Sequence, residues 1–269
     1  MFNRVRHLTQ IGSEFYLQET EFDARLLPVE LRELYDNWSQ SGEADSLSSS
    51  AVAESDWPVA IYVPERYEEH YAYPLVIWFH SNDTDEDQLE DFMNAMSSQN
   101  YIGLSMRANS YCHSTGGYRW ATNGLQFGDV ALRDLLHITT CRLRRAFHIH
   151  SERIFVAGSG GGADAAMQVL IQRPSWFAGG IFLDSAGQPD LLQSERLTDL
   201  RGKPMLQTIS RDISNEQLAR HVEAVRLLRA AGANVQVELK DRPIDPCSGE
   251  VRFIDHWIMS QLSKPAFAT

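Results

Sequence analysis

The sequence predicts an α/β fold, a mostly parallel central sheet with helices on both faces and no large cap domain. Three observations predict it. From Trp57 onward, short runs rich in β-branched and aromatic residues alternate with longer stretches of helical periodicity. Between Ile154 and Gln172 a strand-like run enters a glycine-rich turn and leaves it as a helix. The composition, 269 residues with 43% hydrophobic and 22% charged, suits one large globular domain with a sizeable core.

The elements follow in order. Leu26, Leu27, Leu31, Leu34, Tyr35 and Trp38 recur at helical spacing with Pro28 in the first turn, so residues 1–38 read as an extension carrying one amphipathic helix. Residues 39–56 are Ser, Gly, Ala and acidic residues with almost no large apolar side chain, which predicts a flexible linker. The domain proper spans residues 57–269. Strands are expected at Val59–Val63, Leu75–Phe79, Ile102–Met106, Ile154–Ala157, Gly180–Leu183, Met205–Ile209 and Val235–Leu239. Helices are expected at Leu89–Met96, Asp129–Phe147, Gly162–Gln172, Glu216–Ala231 and near Val251–Leu262. Strands buried by helices on both sides belong in a parallel sheet.

Charge and composition exclude several function classes. With 24 Lys+Arg against 36 Asp+Glu the formal charge is −12, which repels phosphate backbones and acidic lipid surfaces. Nucleic acid is not an expected partner. Cys112, Cys141 and Cys247 are widely spaced, without a CxxC pair or a His pattern of zinc-ligand spacing, so no metal is expected and the thiols read as free in a reducing compartment. The first residues lack a signal-peptide h-region, and the apolar run Leu75–Phe79 is far below the roughly 20 residues of a membrane span. The expected location is the cytoplasm.

The turn carries the chemistry. Phe147-His148-Ile149-His150-Ser151-Glu152-Arg153-Ile154-Phe155-Val156-Ala157 leads into Gly158-Ser159-Gly160-Gly161-Gly162, a strand–turn–helix setting of the nucleophile-elbow kind. Val59-Ala60-Ile61-Tyr62-Val63-Pro64, Tyr73-Pro74-Leu75-Val76-Ile77-Trp78-Phe79-His80, Pro174-Ser175-Trp176-Phe177-Ala178 and Lys203-Pro204-Met205-Leu206 flank it in order. This series resembles the phospholipase/carboxylesterase and polyhydroxybutyrate-depolymerase-like esterases of the α/β-hydrolase superfamily, from about Trp57 to the C-terminus. A dinucleotide site fits less well. Gly158 to Ala163 offers a loose G-x-G-x-x-A, but it follows the fourth strand rather than the first, and no P-loop Lys-Ser/Thr follows the glycines.

The resemblance implies a catalytic serine seven residues after the strand's arginine, with the helix-ending proline and phenylalanine fourteen and seventeen residues further on. Counted from Arg153, Pro174 and Phe177, that position is Gly160. A glycine offers no nucleophile. The alternative register, Ala157-Gly158-Ser159-Gly160-Gly161, restores Ser159 as nucleophile but needs a deletion before the turn and an insertion after it.

The family's base is a histidine in the loop before the last helix, yet Lys240 to Glu250 contains none. The nearest, His256, falls within a helical pattern. For the acid, Asp212 is the best match to the family's aspartate; otherwise it caps or precedes the next helix. The resemblance places oxyanion-hole or anion-binding groups at Gly161 and in the loop His80, Ser81 and Asn82. The following run Asp83-Thr84-Asp85-Glu86-Asp87 places four carboxylates beside the mouth, either a solvated loop or a lure for a cationic ligand.

Three functions follow from these expectations: a catalytically degenerate hydrolase that binds a small carboxylate, an ester-like ligand or a partner; an active carboxylic ester hydrolase using Ser159; or a scaffold docking through its N-terminal helix. No cofactor is implied, and the sequence identifies no particular protein partner.

Overall fold

A computed structural model describes residues 5–11, 14–18, 57–121, 126–127, 130–187 and 200–263. The predicted helix Leu26–Trp38 and the linker 39–56 lie outside the described residues.

Strands β3 (Val59–Tyr62), β4 (Tyr73–Phe79), β5 (Ile102–Met106) and β11 (Gly179–Leu183) are buried along their whole length. That is why they read as continuous apolar runs rather than alternating ones. With β10 (Ile149–Ser159), β12 (Pro204–Ser210), β13 (Asn234–Lys240) and the N-terminal β1 (Val5–Ile11) and β2 (Glu14–Gln18) they form a nine-stranded sheet in the order β13-β12-β11-β10-β4-β5-β3-β1-β2. From β13 to β5 every pairing is parallel. Strand β3 runs antiparallel to β5 and to β1, and β1 antiparallel to β2. The sequence reading did not foresee the β1–β2 hairpin, which extends the domain's own sheet on the far side of β3.

Side chains alternate into two cores. On one face Val76, Trp78, Phe155, Leu183 and Leu206 pack with α1 (Gln88–Met96) and α5 (Arg252–Leu262). On the other, Ile77, Val156, Phe182 and Met205 pack with α2 (Leu132–Ala146), α3 (Gly161–Gln172) and α4 (Asn215–Ala230). The long connection from β5 to β10 holds two small antiparallel pairs, β6 (Ser110–Cys112) with β7 (Gly117–Arg119) and β8 (Gln126–Phe127) with β9 (Val130–Ala131). The described residues form no separate cap.

Element ends shift for local reasons. Strand β10 begins at Ile149, five residues before the expected Ile154, because an irregularity between these residues lets the chain rejoin β4 after a slip in register. Helix α2 starts at Leu132 rather than Asp129 because β9 occupies Val130–Ala131. Helix α4 starts after Ser214, whose Oγ accepts from Gln217 N (3.2 Å) while Gln217 Oε1 accepts from Ser214 N (3.0 Å), a reciprocal cap. The cap is therefore Ser214, two residues beyond Asp212.

Candidate functional site

The site is built where β10 hands over to α3. Gly160 stands between them at φ 57° and ψ −122°, a backbone conformation that a residue with a Cβ adopts only under strain. Its amide donates to Leu183 O on the neighbouring strand (2.8 Å), and its carbonyl accepts from Ala163 N (3.0 Å) and Asp164 N (3.3 Å), opening the helix. A Cβ built on Gly160 would meet nothing within 4 Å, so the tip of the turn faces open space. Gly162 is the opposite case, since a Cβ there would collide with the carbonyls of Phe79 and His80. Helix α3 thus starts in backbone contact with the end of β4. Ser159 lies not at the tip but in the last position of β10, opposite Leu183 and 6% exposed.

The loop after β4 supplies the other wall. His80 is wholly buried, its Nε2 accepts from Ala108 N (2.9 Å), and its Nδ1 lies 2.8 Å from Ser81 O. This pairing requires the neutral ring with the proton on Nδ1, and burial holds its pKa below the ordinary value. With Trp120 Nε1 also donating to His80 O (2.9 Å), His80 clamps the β4 and β5 ends together. Ser81 N donates to Gln88 Oε1 (2.9 Å), and that oxygen also accepts from Trp78 Nε1 (3.2 Å). Of the expected anion-binding groups, the His80 ring and the Ser81 amide are therefore engaged within the fold. Asn82 is exposed and its side-chain amide lies against Gly161, where an added Cβ would strike it.

Two of the four carboxylates of the acidic run are paired with arginines. Arg119 grips Asp83 through two bonds of 2.7 Å, and Arg107 grips the buried Glu86 at 2.7 and 2.6 Å. The partners were invisible in sequence, lying 36 and 21 residues away.

Asp212 is exposed beyond β12 and donates its amide to Ser210 Oγ (3.1 Å). Two other carboxylates, unforeseen, lie nearer the turn. Asp164, in the first turn of α3, is buried, and both its oxygens accept from Ala186 N (3.1 and 3.2 Å). Burial pushes its pKa up to about 7. An aspartate among the alanines of a buried helix face was the available signal for it. Asp184 follows β11 at φ 48°, and its Oδ2 accepts from Ile244 N (2.7 Å). It ties down the loop in which the family's histidine was expected.

His256 is exposed on α5 and pairs with Arg252 O of its own helix. Besides His80, a second buried histidine is His221 of α4, 3% exposed, with Nδ1 3.2 Å from Gln207 Nε2. Gln207 also reaches Ser185 Oγ (3.4 Å), so the imidazole is held in a structural amide–hydroxyl cluster. Burial lowers its pKa.

Neither a family model nor a curated protein matches this sequence. Solved structures do. A ferulic acid esterase superposes with a TM-score of 0.61 at 14% identity, over 81% of this chain and 96% of its own. A carboxylesterase from Bacillus cereus gives 0.60 at 17%, over 78% and 96%. A protein called YahD, solved with malic acid, gives 0.56 at 14%, over 76% and 99%.

Proposed function

We propose that this chain, whose fold is the α/β-hydrolase fold of the esterases on which it superposes, is a catalytically degenerate member of that fold that binds a small carboxylate at the turn instead of hydrolysing an ester. One observation carries the reading: Gly160 occupies the strained tip between β10 and α3 with open space before it and no side chain to fill that space. Ester hydrolysis through an elbow needs an oxygen nucleophile there, a base within hydrogen-bond reach and a group to orient the base. The loop 241–250 brings no histidine, and Asp184 spends its bonded oxygen on that loop's backbone.

What remains supports binding. Ala163 and Asp164 already donate to Gly160 O, which leaves the Gly161 and Gly162 amides at the start of α3, and a helix start favours negative charge. Asn82 stands beside them, whereas Ser81 has its amide on Gln88. A carboxylate held there would take the place that an ester's developing oxyanion takes in an active enzyme.

The test is labelling with a fluorophosphonate probe. No labelling of the wild type above Ser159→Ala is expected, because Ser159 is enclosed in the strand end. Labelling that disappears in Ser159→Ala would replace this reading with an active esterase using that serine. Crystals soaked in acetate should in turn show the anion at the start of α3.

A further inference from the structure

Strand β13 ends the sheet, and among the described residues nothing pairs with its outer edge. Asn234 N donates to Lys203 O and Lys240 O accepts from Arg211 N, so the even-numbered residues direct their backbone groups at β12. Val235, Val237 and Leu239 therefore turn theirs outward. Arg229 confirms the direction by reaching from α4 to Val235 O (2.9 Å). Leu218 and Val222 lie eleven and seven residues before Arg229, on the same stripe of α4, so they overhang the same edge.

This edge is unlike the rest of the surface. Leu218, Val222 and Leu239 are 42%, 59% and 56% exposed and make up three of the five large apolar side chains exposed among the described residues. On a chain of charge −12, β13 is locally neutral, because its Glu238 and Lys240 pair at 2.7 Å. It carries no proline or bulge to block addition of a strand.

We propose that β13 pairs antiparallel with β13 of a second copy of this chain, about a two-fold axis at Val237. The strand is self-complementary in that register. Val237 faces its equivalent, and Val235 faces Leu239, all three presenting outward backbone groups that exchange hydrogen bonds. Between them Gln236 stands opposite Glu238 and Asn234 opposite Lys240, with no like charges opposed. Val235 O keeps a second lone pair for the new bond while Arg229 holds the first. Leu239 comes to lie beside Val235 of the second copy, which is buried in its own core, and the overhanging Leu218 and Val222 meet the other helix.

Light scattering on the full chain, from about 1 to about 100 µM, should show twice the monomer mass at the upper end. Leu239→Lys and Val222→Lys, both at exposed positions, should weaken association at least about tenfold while leaving the thermal transition of the fold in place. Equivalent Val237 Cα atoms would lie about 5.5 Å apart, within disulfide range, so Val237→Cys should give an oxidised covalent dimer. Gln236→Cys should give no more than the wild type with its own three cysteines. A wild type that stays monomeric throughout overturns the proposal, as does a dimer indifferent to both lysines. Equal cross-linking of Val237→Cys and Gln236→Cys overturns the register and the proposal with it.

Discussion

At Gly160 the backbone takes φ 57° freely, whereas serine in that conformation stores of order 1–3 kcal/mol. Because an added Cβ meets nothing, strain is the whole penalty. Gly160→Ser should lower stability by about 1 kcal/mol, reduced slightly by the stiffer unfolded chain. It should not hydrolyse p-nitrophenyl esters efficiently, since the loop 241–250 offers no histidine to take the serine's proton. Denaturant midpoints and ester rates of this single variant check both points, and strong turnover would reveal a base unaccounted for.

Asp164 makes a pH-dependent contribution of opposite sense to a paired carboxylate. Its pKa is raised from 3.8 to about 7, so the folded state holds the proton more tightly than the unfolded one. The associated stability is complete below the unfolded value and is lost as pH rises through about 7. Asp164→Asn, which keeps an acceptor for Ala186 N, should flatten the stability profile between those limits. Chemical denaturation at a series of pH values measures it, and an unchanged slope would show that the carboxyl titrates normally.

Among the elements, the segment from β4 through α1 to β5 is held by a buried ion pair whose two halves are unequal. Glu86 is fully buried, whereas the Arg107 side chain is 28% exposed and also lies over the Tyr118 ring. Arg107→Ala strands a buried charge and should cost about 3–5 kcal/mol. Glu86→Ala leaves an arginine able to turn toward water and should cost roughly half that. Thermal melts of the two variants should rank in that order, and a reversed order would show that the packing of the Glu86 stem dominates.

The same elements show what is legible in a sequence. The central strands were, because β4 and β11 are buried along their length and read as nearly unbroken apolar runs. The turn was, because a strand-like run, a glycine stretch and a helical run follow one another. The β1–β2 hairpin was not: Val5, Leu8 and Ile11 are three residues apart, a spacing that favours no strand alternation. Most of the site's wiring was hidden for another reason. His80 meets Ala108 across 28 residues and Asp184 meets Ile244 across 60. No local pattern encodes a bond that only the sheet's crossovers create.

For the molecule as a whole, the N-terminal hairpin matters because it covers the outer edge of β3. Val5, Arg6, His7 and Leu8 pair with Tyr62, Ile61, Ala60 and Val59. Deleting residues 1–18 should uncover four buried strand residues along an unpaired edge, lowering the melting temperature and promoting aggregation. Turbidity during a thermal ramp distinguishes this from a dispensable extension, which would leave the ramp unchanged.

The backbone contact between the start of α3 and the end of β4 also bears on how this chain can change by descent. What sets the path of the turn is the close approach at Gly162, where any larger residue must lever the helix away from Phe79 and His80. Gly160 has no such duty, so a lineage can lose or regain a side chain there at the expense of strain alone. The frame is inherited separately from whatever side chain stands at its tip, and drift at one position leaves the next generation the same architecture to work with.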